Sequence, residues 1–169
     1  APTWSHRTFR QVLQDHLGQA REIAWIDLHT GLGPHGYGER IFACTDTGAT
    51  LQRARQWWGS DITSVDTGTS QSVPLSGPIQ MAIYKECPAA RYTGICLEFG
   101  TLPLAQMILA MRADHWLALH PEAPPEQRAS IREGMRQAFN PPSGVWQAQV
   151  WQQGLQAARQ ALQGLAESA

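Results

Sequence analysis

The sequence predicts an α/β fold, three α/β/α layers with helices on both faces of a mostly parallel or mixed sheet. Three observations carry this. Residues 23–28 form an apolar run broken only by Asp27, and residues 91–101 hold a second, Ile95-Cys96-Leu97, that meets Glu98 and then Phe99. Both runs are short and rich in strand formers, the pattern of strands buried on both faces in a parallel sheet. Amphipathic helical stretches precede, separate and follow them, the alternation that builds parallel crossovers.

In chain order, Ser5 is placed to cap a first helix reaching about Gln19, with Phe9, Val12, Leu13 and Leu17 on its inner face. The first strand follows. It delivers His29 and then meets Gly31, Gly33, Pro34, Gly36 and Gly38, which read as a glycine-rich loop. Residues 40–45 read as another strand and residues 48–58 as a helix, with Leu51, Ala54, Trp57 and Trp58 at helical spacing. Residues 62–75 are polar and irregular, a long loop of the kind that is either functional or mobile. A helix over residues 77–86 has Pro78 in its first turn. After the second strand, residues 103–120 carry Leu104, Met107, Ile108, Met111 and Leu117 on an apolar stripe. Two more helices are expected over residues 126–139 and 145–165, the last burying Trp146, Val150, Leu155, Leu162 and Leu165.

The 169 residues suffice for one domain with a real core and are short for two. A formal net charge of −1 with 16% charged residues gives no reason to expect nucleic acid or an anionic membrane as partner. No apolar run approaches a membrane span, and the N-terminus has no signal-peptide pattern. Cys44, Cys87 and Cys96 form an odd set without metal-site spacing, which argues against a disulfide framework and for a reducing, cytoplasmic setting.

His29 and Glu98 each stand at a strand end just before glycine. If both strands belong to one parallel sheet, their C-terminal ends share an edge and the two side chains converge. A carboxylate among Ile95, Cys96, Leu97 and Phe99 is costly to bury unless it is paired, hydrogen-bonded or metal-associated. A histidine with a carboxylate offers a metal ligand and a general base. A bound zinc lowers the pKa of its water to about 7, and a nearby glutamate can take the proton.

Asp27-Leu28-His29-Thr30-Gly31-Leu32-Gly33-Pro34 together with Leu97-Glu98-Phe99-Gly100-Thr101 resembles the zinc carboxypeptidase-like superfamily. The first run and Met111-Arg112-Ala113-Asp114-His115-Trp116-Leu117 are similar in particular to its DUF2817 branch, related to the succinylglutamate desuccinylase and aspartoacylase proteins. The resemblance implies a partial zinc carboxypeptidase-like fold and a zinc-dependent hydrolase of small peptides or N-acyl amino acids. It implies that His29 is a zinc ligand and that Glu98 is the base that activates the zinc-bound water. The superfamily's early His-Gly-x-Glu motif and its Asn-Arg substrate motif have no counterpart here. The chain is therefore expected to be the C-terminal portion of a longer metallopeptidase-like domain, holding no zinc tightly by itself.

Asp27, two positions before His29, shares its face of the strand. It is either a partner orienting the imidazole or a buried acid satisfied by backbone. Tyr37 and Arg40 are candidates to contact a substrate carboxylate or a developing oxyanion. His35, His115 and His120 receive no role. The competing reading is a module without chemistry, its glycine loop cradling an anion through backbone amides, or an inert fragment.

Overall fold

The computed structural model describes residues 1–45 and 48–168. Its one named sheet has three strands, β1 (Glu22–His35), β2 (Gly38–Phe42) and β3 (Arg91–Gly100), in the order β1-β3-β2. Two hydrogen bonds set the first register: Arg91 N donates to Arg21 O and Thr101 N to Gly31 O. Both strands advance together, so β1 and β3 are parallel. On the other side Ala43 N donates to Gly94 O and Gly100 N to Tyr37 O. Here one strand advances as the other retreats, so β2 is antiparallel to β3. With helices α1 (Trp4–Leu17), α2 (Ala49–Trp58), α3 (Ala82–Glu86), α4 (Leu104–Leu119), α5 (Pro125–Phe139) and α6 (Gly144–Ser168), the described chain is α/β with a small mixed sheet.

β3 is the central strand, and all of it between Tyr92 and Gly100 is buried except half-buried Cys96. The expectation of burial on both faces holds there. It fails for β1, which stands at the sheet's edge with Leu28 60% exposed. An edge strand has a neighbour on one side only, which an apolar run does not disclose.

The glycine run is not a loop. β1 continues through Gly31 and Gly33 to His35, and the chain turns only at Gly36 and Tyr37. Gly31 and Gly33 adopt φ of +146° and +104°, values that side-chain-bearing residues rarely reach. A Cβ on Gly100 of β3 would collide with the carbonyls of Gly33 and Pro34. Gly100 thus lets two strands approach each other, while Gly31 faces Met107 and Phe139.

The chain divides into two compact units, one of Ala1–Asp27, Arg40–Cys96 and Gln156–Ala169, the other of Leu28–Glu39 and Leu97–Leu155. In the first, Leu13, Ile23, Ile41, Phe42, Trp58 and Ile83 are buried core. α1 starts two residues earlier than expected, with Thr3 Oγ1 rather than Ser5 accepting from a first-turn amide, that of His6. It buries Leu13 and leaves Val12 exposed. Arg10 and Gln14 of α1 hold Glu86 at the end of α3. The expected helix at 77–86 begins instead as a 3-10 turn, Ile79–Met81, because Pro78 has an extended backbone. Trp58 Nε1 donates to Ala157 O of α6 at 3.0 Å, and Gly164 of α6 lies flat against the Trp57 ring. Leu162, expected inside, faces solvent. Residues 62–75 are irregular, tied by Ser64, whose carbonyl accepts from the amides of Thr69 and Ser70.

In the second unit, Leu97, Phe99, Met107, Leu117, Ala138 and Trp146 are buried. α4 packs on α5. Only Met107 and Leu117 of the α4 stripe are buried; Leu104, Ile108 and Met111 are exposed. Trp146 Nε1 donates to Gly100 O at 2.9 Å. Gln153 of α6 accepts from Gly38 N and donates to Gly36 O, which fixes the turn between β1 and β2. No described helix is long and apolar enough to cross a membrane.

Candidate functional site

The parallel register that sets Thr101 opposite Leu32 also sets Glu98 opposite His29. Their side chains meet on one face of the sheet, His29 Nδ1 lying 3.9 Å from Glu98 Oε2. The histidine side chain is 52% exposed and the glutamate side chain 11%, so one partner can be reached from solvent while the other is held. Of the predicted residues, these are the two that the structure brings together.

Glu98 is oriented by a backbone group. Leu32 N donates to its Oε1 at 3.0 Å, a charge-assisted bond in which a main-chain amide holds one carboxylate oxygen. The positive φ of Gly31 belongs to the same turn of backbone, and a Cβ at Gly31 would lie 3.6 Å from that oxygen. Met107 and Phe139 close over Gly31 from the helices. Oε2 is left on the side of His29.

The antiparallel register places Glu39 of β2 opposite Glu98. Gly38 confirms the alternation, since a Cβ there would touch Phe99 and Leu97 on the other face. Glu39 is 3% exposed, so two buried carboxylates stand on neighbouring strands of one face. Cys96 precedes Glu98 by two positions on β3 and shares its face. Ligand atoms of His29, Cys96 and Glu98 all lie within 4.8 Å of one another. The sequence reading assigned nothing to Glu39, to Cys96 or to the Leu32 amide. The i, i+2 spacing of Cys96 and Glu98 on a strand was a usable signal; the amide left none.

The other predicted residues stand outside this pair. Arg40 Nη1 donates to Asp61 Oδ2 at 3.0 Å, and its side chain is only 13% exposed. Tyr37 stands at the turn between β1 and β2 and is exposed. Asp27 is half-buried on β1, and its charge acts on the phenol of Tyr92. Burial, chiefly, with the neighbouring Cys44, Tyr84 and Asp27 charges, pushes that phenol far above the usual tyrosine range, so it stays protonated and donates to Ala43 O.

The donor set suits a metal of the zinc type, which takes imidazole nitrogen, thiolate and carboxylate. The 3.9 Å between His29 Nδ1 and Glu98 Oε2 is too long for a direct hydrogen bond. An anion cradle in the glycine run finds no such fit. The amides of Leu32, Gly36, Tyr37 and Gly38 donate to Glu98, Gly100, Pro34 and Gln153 in turn.

Residues 1–153 match the family described as Protein of unknown function (DUF2817). No curated protein and no solved structure matches the chain.

Proposed function

Because the chain belongs to the DUF2817 family, whose description assigns no activity, we propose from its own site a zinc-dependent hydrolase of the carboxypeptidase-like kind. Its substrates are small peptides or N-acyl amino acids, cleaved at the amide bond. The observation that carries this is the pairing of half-exposed His29 with buried Glu98, whose Oε1 is held by Leu32 N–H while Oε2 stands 3.9 Å from the imidazole. His29 is the metal ligand and Glu98 the base. When bound, zinc would polarise the amide carbonyl and lower the pKa of its water.

The chain's own residues do the rest. The Leu32 amide holds Oε1 still, so proton transfer falls to Oε2. Glu98 accepts a proton from the attacking water there and returns it to the leaving amine. Tyr37, exposed at the β1–β2 turn, is the predicted residue best free to meet substrate. Arg40 would first have to leave Asp61.

Two variants of the protein as its gene encodes it separate the roles. Glu98→Gln keeps the shape, and its amide cannot accept the proton. It should leave zinc content nearly unchanged and nearly abolish hydrolysis of a panel of N-acyl amino acids and dipeptides. His29→Ala should lower zinc content as well as turnover. Full turnover by Glu98→Gln, or full zinc content in His29→Ala, refutes the assignment.

A further inference from the structure

The peptide unit joining Gly31 to Leu32 is gripped at both ends. Its N–H donates to Glu98 Oε1 at 3.0 Å. Its carbonyl, that of Gly31, accepts from Thr101 N–H at 3.3 Å, and Thr101 Oγ1 lies 3.2 Å from the same oxygen. In a trans peptide the two groups point in opposite directions, so Thr101 and Glu98 hold one rigid plane from opposite sides. A carbonyl engaged in a hydrogen bond also makes its own N–H a better donor, which strengthens the grip on the carboxylate.

Thr101 is buried, and its hydroxyl sits among three acceptors: Gly31 O, Met107 Sδ at 3.3 Å and Ala138 O at 2.5 Å. One proton cannot serve all three at once, so the hydroxyl is shared among the Gly31 carbonyl, Met107 Sδ of α4 and Ala138 O near the end of α5. The hydroxyl oxygen thereby fixes the spacing between the last turn of α5, Met107 of α4 and the Gly31 carbonyl. Thr30 Oγ1 makes the companion bond, donating to Phe139 O at 2.7 Å. Two threonines thus take the carbonyls that the end of α5 leaves without helical donors.

We propose that Thr101 is a positioning residue for Glu98: by holding the Gly31–Leu32 peptide it aims the Leu32 amide at Oε1 and so leaves Oε2 facing His29. The functional meaning rests on the reading of Glu98 as the base, but the linkage itself can be measured without any substrate.

The readout is the Leu32 backbone amide by NMR in the 169-residue chain. A carboxylate acceptor moves that proton downfield, and Glu98→Gln supplies the reference position without one. Thr101→Val keeps the shape, removes the donor to Ala138 O and puts a methyl group where the oxygen stood. It should move the Leu32 proton toward the Glu98→Gln position and speed its hydrogen exchange roughly tenfold or more. Thr101→Ser, which restores the hydroxyl, should return both. If Thr101→Val does not fold, Thr101→Ala removes the hydroxyl without a methyl group at the oxygen's position and is read the same way. A hydroxyl-less variant that loses stability while the Leu32 amide stays at its wild-type position overturns the proposal, and so does a serine variant that behaves like valine. A chain inactive on every amide substrate leaves this readout intact, so the two readings fail separately.

Discussion

Gly31→Ala tests the backbone geometry on which the site depends. The residue adopts φ +146°, where an alanine carries backbone strain of about 1–3 kcal/mol. Its Cβ would lie 2.9 Å from Met107 Cε and 3.4 Å from Phe139 Cε1. The Met107 methyl is the far end of a flexible side chain and can move aside; the Phe139 ring need give only slightly. Overpacking therefore adds about 1 kcal/mol, the low end of its usual range. The sum is roughly 2–4 kcal/mol of lost stability, or a melting point lower by roughly 4–16 °C for a chain of this size. Urea denaturation measures it, with Gly134→Ala as control. Gly134 lies exposed in mid-α5, with nothing within 4 Å of a new Cβ. Alanine there should add up to about 1 kcal/mol through helix propensity alone. If Gly31→Ala matches wild type within about 0.5 kcal/mol, as an indifferent surface site would, residue 31 does not hold this conformation. The Leu32–Glu98 bond would then lose its structural basis.

Two further outcomes follow from packing and burial. Gly164→Ala drives a methyl group into the Trp57 ring and should destabilise by about 1–3 kcal/mol, opposite in sign to Gly134→Ala; equal effects in a denaturant titration would refute the close packing of α6 on Trp57. None of the three cysteines forms a disulfide, with Cys44 and Cys87 buried and Cys96 half-buried, and burial pushes the Cys87 thiol above its ordinary range. Cys96 should therefore alkylate first in the native protein, and excess zinc should slow it; labelling indifferent to zinc would remove the sulfur from the metal group.

The site's central pair was legible because parallel pairing is simple arithmetic. His29 and Glu98 each stand two residues before a glycine in a strand-forming run, and parallel pairing brings them side by side although β1 continues past His29 to His35. The burial of β3 was legible for the same reason that the burial of β1 was overread: an apolar run shows that a strand has a core face, not how many neighbours it has. Glycine misled in a definite way. Gly31 and Gly33 use its conformational freedom inside β1 itself, where sequence reasoning assigned it to a loop. Arg40 was read as open to substrate because Asp61, twenty-one positions away, gives no sign in sequence that it will take the guanidinium. The Leu32 amide could not be seen at all, since every residue but proline carries one and only the fold says where it points.

The face that holds Glu98 can be judged by its charges. Glu39 and Glu98 are both buried and stand opposite each other on neighbouring strands, an arrangement in which like charges repel. One backbone hydrogen bond to a carboxylate returns about 1.5–3 kcal/mol. Bringing an ion out of water costs several kcal/mol per charge, and the Leu32 amide offsets a part of that for Glu98. A positive charge beside Oε2 lowers the energy of both acids at once, while an anion raises it. His29 supplies that charge when protonated; as a neutral imidazole it instead offers a lone pair to a cation that supplies it. Either way positive charge next to Oε2 is favoured over an anion there, which is the environment that the proposed metal-ligand role of His29 requires.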